Sequence, residues 1–155
     1  MIHITRCDFN NKIHQLEFVK LLGCYMEDSM GLGEKVDEKK RISAFQGLSE
    51  IPTAFVLFAI NEDNYIGMAT CFYSFSTFHA KNLINIHDII ILPDYRGKGV
   101  GKKLMQEIIK MAKNNNCIKV TLEVRHDNNR AKSLYRSLGF SDTTPPMYFW
   151  EKKLL

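Results

Sequence analysis

Between residues 89 and 104 the chain reads Ile-Ile-Ile-Leu-Pro-Asp-Tyr-Arg-Gly-Lys-Gly-Val-Gly-Lys-Lys-Leu, and few folds accommodate such a stretch. Ile89 to Leu92 is a short, wholly apolar run, as expected of a strand covered on both faces. Pro93 has no N–H to give to a sheet ladder and closes it. From Val100 onward, Leu104, Ile108, Met111 and Ala112 recur at the spacing of a helix with one buried face. Between strand and helix lie Gly97, Gly99 and Gly101, interleaved with Arg96, Lys98, Lys102 and Lys103. Glycines let backbone N–H groups approach a ligand closely, and a helix N-terminus adds partial positive charge. The expected shape is a cradle for a pyrophosphate.

Elimination narrows the kind of cradle. A Walker A loop, G-x-x-x-x-G-K-S/T, fails twice: Arg96 stands where its first glycine belongs, and Lys103 where Ser or Thr would bind magnesium. A dinucleotide fingerprint, G-x-G-x-x-G, finds Gly97 and Gly99 but Lys102 in the third place. It also sits past mid-chain instead of on a first βαβ unit. What remains is Arg96-x-x-Gly99-x-Gly101.

Composition sets the frame around this stretch. A chain of 155 residues, 45% hydrophobic and 25% charged, predicts one folded domain over residues 1–155 and not disorder. The net charge of +4 is mild and its lysines and arginines are dispersed, which argues against a nucleic-acid partner. The longest apolar run, Ala54 to Ile60, is far too short to cross a bilayer, and Met1 to Arg6 lacks the pattern of a signal peptide. Cys7, Cys24, Cys71 and Cys117 lie far apart with no C-x-x-C pair, so reduced, mostly buried thiols are expected, with no metal site. These features together predict a cytoplasmic protein with no membrane partner.

In chain order, alternation at Ile2-His3-Ile4 predicts an edge strand. Ile13, Leu16, Val19, Leu22 and Met26 mark the buried stripe expected of a first helix. Asp37 is suited to cap a second helix carrying Ile42, Phe45 and Leu48. A hairpin is expected from Thr53–Ile60 and Tyr65–Phe75 around the turn residues Asn61 to Asn64. A long strand over 83–92 then leads into the glycine loop. Beyond the helix from Val100, a strand is expected over 119–125, a short helix from Asp127 or Asn128 to about Leu138, and a last strand over 147–153. The order β-α-α-β-β-β-α-β-α-β predicts an α/β fold with a mixed central sheet flanked by helices.

Two segments carry a family resemblance. Arg96-x-x-Gly99-x-Gly101, between strand and helix, resembles the acyl-CoA loop of the GNAT superfamily of N-acetyltransferases, whose signature is R/Q-x-x-G-x-G/A. Asn128-Asn129-Arg130-Ala131-Lys132-Ser133-Leu134-Tyr135-Arg136-Ser137-Leu138-Gly139-Phe140 resembles that family's N-x-x-A-x-x-L-Y-x-x-x-G-F segment at every marked position. The element order is similar to the family's from end to end. The resemblance implies a single GNAT-like domain that binds acetyl-CoA and releases coenzyme A. It implies cofactor contacts from Arg96, Gly97, Lys98, Gly99, Val100, Gly101 and Lys102, from backbone N–H groups of Ile89, Ile90 and Ile91, and from Asn128 and Ala131. On a helix from Asn128, Ala131, Leu134, Tyr135 and Leu138 share one face. The resemblance places Tyr135 near the thioester sulfur. A phenol of pKa about 10 there can protonate a departing thiolate whose pKa is near the thiol value of about 8.5.

Direct attack by an amine needs a base, because the amine must be neutral. His87 and Asp88 are two titratable side chains in an otherwise apolar strand, and alternation predicts that they face opposite sides of the sheet. Imidazole chemistry favours His87 as the base near neutral pH. Family members often carry Glu or Asp hereabouts, so His87 departs from the pattern, and Asp88 either structures the site or binds the amine. The segments from Phe72 to Gly97 and from Tyr25 to Asp28 resemble the diamine and polyamine acetyltransferase branch. On that reading Glu27, Asp28, His87 and Asp88 meet a small cationic amine; a solvated helix end is the plainer reading of Glu27 and Asp28. Acetylation of a protein or peptide amine, and a non-catalytic acyl-CoA sensor, are the alternatives. Dimerisation is common in the superfamily, and a homodimer is compatible with the sequence.

Overall fold

A computed structural model describes all 155 residues. Met1–Arg125 and His126–Leu155 form two compact units. The first holds a five-stranded sheet in the order β1-β2-β3-β4-β5: β1 (Ile2–Arg6), β2 (Ala54–Asn61), β3 (Asn64–Ser76), β4 (Lys81–Ile91) and β5 (Val120–Leu122). The first four strands run antiparallel to their neighbours, and β5 joins β4 in parallel, which makes the sheet mixed. Three helices belong to this unit: α1 (Lys12–Glu27), α2 (Glu38–Ser49) and α3 (Val100–Asn114). The α/β class and the order of elements through α3 follow the sequence expectation.

Each face of the sheet has its own cover. Val56, Phe58, Ile60, Met68 and Ile90 pack against Phe18, Val19, Leu21 and Leu22 of α1 and Phe45 of α2. Burying an aromatic such as Phe18 or Phe58 stabilises by about 1.5–3 kcal/mol. α3 lies against β1 to β4 and adds none of its buried residues to that cluster, so it covers the opposite face. Its buried side chains, Val100, Leu104, Met105, Ile108 and Ala112, fall on one helical stripe.

α1 departs from its expected register. Ile13 and Leu16 are 59% and 67% exposed, while His14, Phe18, Leu21 and Leu22 form the buried stripe. A histidine can occupy the apolar side because His14 Nδ1 accepts the Asp8 N–H at 2.8 Å. Asn11 caps the helix from the Ile13 and His14 N–H groups, and Asp37 caps α2 as anticipated, from Lys39. Of the four free thiols only Cys7 and Cys71 are buried; Cys24 is exposed.

The second unit contains α4 (Asn129–Ser137), capped by Asn128, whose Oδ1 accepts the Ala131 N–H at 3.1 Å. Gly139, with φ 88°, ends it. Tyr135 is buried and its ring lies 6.0 Å from Phe140. The strand expected over 147–153 does not form: residues 141–155 carry no regular structure, and Met147, Tyr148, Phe149 and Trp150 are all largely exposed. An apolar, aromatic run does not by itself make a strand, whose backbone groups need a partner edge. No helix is long and apolar enough to cross a membrane.

Candidate active site

The site is prepared by an irregularity in β4. Ile86 pairs with Cys71 and Asp88 with Thr70, so β4 carries one residue more than β3 at this point, and that residue is His87. Such a bulge breaks the period-two alternation. Thr70 and Phe72 share a face of β3; Asp88 lies opposite Thr70, and the His87 ring meets Phe72 edge-on at 5.7 Å. His87 and Asp88 therefore lie on one face, not on the opposite faces expected from alternation. That face is the one α1 and α2 cover, since Met68 and Ile90 on it belong to their cluster.

β5 stops at the same level. Its ladder with β4 covers only Ile84–Val120, Asn85–Thr121 and Ile86–Leu122, and is pinned there by Asn85 Nδ2 donating to Thr121 Oγ1 at 3.1 Å. The strand is shorter than the 119–125 expected from its sequence. Beyond Ile86 the outer edge of β4 has no strand beside it. Alternate residues along this stretch turn their N–H and C=O groups to the open edge. Ile89 and Ile91 are only half-buried, with Ile90 alone buried, so this part of β4 is not covered on both faces.

The open edge leads into the glycine loop. Pro93–Tyr95 makes one 3-10 turn, and Gly97 and Gly99 then adopt φ of 75° and 81°. Both values lie in the left-handed region, where a side chain strains the backbone. A Cβ at either position would meet nothing within 4 Å, so backbone conformation, not crowding within the fold, requires the glycines. Gly99 caps α3 without any side-chain bond, and the first helical bond runs from the Lys103 N–H to the Gly99 carbonyl. The N–H groups of Val100, Gly101 and Lys102 precede that bond and have no intrahelical acceptor. No acid stands in the first turn, and Lys98, Lys102 and Lys103 surround it. Open space, unsatisfied donors and positive charge fit a pyrophosphate.

Arg96 and Asp28, assigned separately from sequence, meet in the structure. Arg96 Nη2 lies 2.5 Å from Asp28 Oδ2, and its Nε donates to the Ile91 carbonyl at 2.9 Å. Asp28 Oδ1 accepts the Met30 N–H at 2.9 Å. That backbone bond, then the Arg96 guanidinium, hold the Asp28 carboxyl below its ordinary pKa. Both carboxylate oxygens are thus engaged within the fold, Oδ1 by the turn and Oδ2 by Arg96. Glu27, the last residue of α1, is exposed.

Burial raises the Asp88 carboxyl above the ordinary range, while the adjacent His87 pulls the other way. Tyr25, on the last turn of α1, is raised by burial first and by Asp88 and Asp28 next, with Arg125 opposing. Tyr25 joins this group, and its place beside Glu27 and Asp28 is the signal in the sequence that points to it. No cluster of side chains suited to a metal ion is present.

The acetyltransferase (GNAT) family model matches residues 18–140. The chain belongs to the GNAT family. Members of the GNAT family use acetyl-CoA, and the glycine loop and the open β4 edge fit its pyrophosphate and its amide-bearing arm. Among relatives, bovine (Bos taurus) thialysine N-epsilon-acetyltransferase is 35% identical over 79 residues, 51% of this chain and 46% of that protein. The chain thus matches less than half the length of that relative. An uncharacterized N-acetyltransferase of Archaeoglobus fulgidus is 31% identical over 124 residues, 78% of this chain and 82% of the other. Among solved structures, an integron cassette protein from the mobile metagenome of V. cholerae superposes with a TM-score of 0.83 at 23% identity, covering 99% of this chain and 93% of that one.

Proposed function

We propose that this GNAT-family chain is an acetyl-CoA-dependent N-acetyltransferase that transfers the acetyl group directly to a small primary amine, with diamines and polyamines the favoured acceptors. The observation that carries the reading is the unpaired β4 edge running straight into the left-handed glycine loop. Such an arrangement offers donors for an amide-bearing chain and then for two phosphates in sequence. Acetyl-CoA supplies the acyl group already activated as a thioester.

On this reading the backbone from Ile89 to Ile91 orients the thioester and donates an N–H to its carbonyl oxygen as negative charge grows there. Gly97 to Lys102 hold the pyrophosphate, with Arg96 beside them, and Asn128 and Ala131 line the cofactor arm by their motif. His87 and Asp88, brought to one face by the bulge, receive protons from the amine, and Glu27 adds negative charge for a cationic acceptor. Tyr135, by its motif, gives a proton to the sulfur as the C–S bond breaks and the N–C bond forms. A polyamine-type acceptor is supported by the exposed Glu27 at the end of α1 and by the thialysine acetyltransferase relative, whose named substrate is a small amine.

The test is coenzyme A release from acetyl-CoA, followed with a thiol reagent, over diamines, polyamines, amino acids and peptides. Turnover confined to small amines is the expected result. Turnover only with peptides moves the acceptor to a protein amine, and tight binding without any turnover favours an acyl-CoA sensor.

A further inference from the structure

The turn after α1 is organised by one residue. The Asp28 N–H donates to the Cys24 and Tyr25 carbonyls at 3.2 and 3.1 Å, ending the helix, and its own carbonyl accepts the Gly31 and Gly33 N–H groups at 2.9 and 3.1 Å. The turn is tight enough that a Cβ on Gly31 would lie 2.0 Å from the Tyr25 carbonyl oxygen. Two arginines hold it from outside. Arg96, in the segment leaving β4, takes the Asp28 carboxylate, and Arg125, in the segment leaving β5, donates from Nη1 to the Ser29 carbonyl at 3.1 Å. One turn is therefore tied to the exits of both strands, β4 and β5, whose mutual pairing ends at Ile86 and Leu122.

Arg96 also stands next to Gly97, at the entrance of the glycine loop. A guanidinium has five N–H donors in a fixed plane. The bonds to Ile91 and Asp28 use Nε and Nη2, which leaves the Nη1 group outside this pair of bonds. One guanidinium can therefore serve the Asp28 carboxylate and a phosphate together, provided its plane is held. We propose that Asp28 is a positioning residue for the cofactor site, acting through Arg96, and that anion binding at the glycine loop tightens the Asp28–Gly33 turn on the acceptor side. The inference rests on the acyl-CoA reading above and deepens it: cofactor binding orders the place where the amine arrives.

The experiment is a calorimetric titration with coenzyme A of wild type, Asp28→Asn, Arg96→Gln and the double variant, with amide exchange of Met30 and Gly31 measured in parallel. Asparagine keeps the Oδ1 acceptor for Met30 and deletes only the charge that holds Arg96, so a purely structural role for the turn survives this substitution. Asp28→Asn is expected to weaken coenzyme A by about tenfold, and the double variant to bind no worse than Arg96→Gln alone. The same loss is expected in the KM for acetyl-CoA and not in kcat. Saturating coenzyme A is expected to slow exchange at Met30 and Gly31 in wild type but not in Arg96→Gln, a comparison that stands even where Asp28→Asn does not fold. Wild-type affinity in Asp28→Asn, losses that multiply in the double variant, or exchange indifferent to coenzyme A overturns the proposal. Failure of wild type to bind coenzyme A overturns the acyl-CoA reading itself.

Discussion

His87 stands edge-on to Phe72, with ring centroids 5.7 Å apart and planes at 89°, although Phe72 pairs across the ladder with Asn85. The contact shows where the extra residue of β4 goes. It also shows why Asp88, the next residue, faces the helices α1 and α2 and not α3.

Asp88 is held above the ordinary carboxylate pKa by burial. The folded state therefore binds its proton more tightly than the unfolded chain. That contribution to stability is complete below the unfolded pKa and is lost as pH rises through the folded one. Asp88→Asn should leave stability nearly unchanged at acid pH and raise it relative to wild type at pH values above that window, while lowering turnover. Thermal melts across acid to neutral pH check the first part, and steady-state rates the second.

Tyr135→Phe removes one hydroxyl from a buried ring. As the proposed proton donor to sulfur, it should lower kcat by about 10²-fold, at the lower end of general-acid effects, with coenzyme A affinity close to wild type. Single-turnover rates and a binding isotherm separate the two quantities. Wild-type kcat removes Tyr135 from the chemistry.

Gly99→Asp places a carboxylate at the N-cap of α3, where the backbone has φ 81° and nothing lies within 4 Å of a new Cβ. Left-handed backbone costs a non-glycine residue about 1–2 kcal/mol, so a folded but less stable protein is expected. Coenzyme A binding should be lost, because negative charge then occupies the proposed phosphate position. Calorimetry beside a thermal melt reads both effects.

Gly67→Ala tests the support behind β4, the strand proposed to hold the cofactor arm. A Cβ there would lie 2.7 Å from the Ile90 carbonyl oxygen and 2.8 Å from Ile91 Cδ1. Backbone cannot give way as a side chain does, so β4 must shift, and destabilisation of about 1–3 kcal/mol is expected. Chemical denaturation measures it, and weaker acetyl-CoA binding should accompany it.

Several features were legible in the amino-acid order because they are made by neighbours in sequence. Pro93 ends β4, left-handed glycines precede α3, and Asp37 and Asn128 cap the helices α2 and α4. Each depends on backbone sterics or on a hydrogen bond spanning two or three residues. The apolar stripe of α3 is read just as directly, since a 3.6-residue period needs no knowledge of what it packs against.

Other features required the fold. Residues 84–91, Ile-Asn-Ile-His-Asp-Ile-Ile-Ile, contain no mark of a bulge, because register is a property of the pairing with β3. Residues 119–125 alternate and 147–150 are an apolar, aromatic run, both marks of a strand, yet only Val120–Leu122 finds a partner edge. Arg96 and Asp28 are 68 positions apart, and each alone resembled a ligand-binding residue. Sequence by itself determined the local chemistry of the glycine loop, where backbone conformation is set within a few residues. Tertiary structure decided which face His87 and Asp88 share and which charges neutralise one another, because those depend on the distance between strands and helices that only packing brings together.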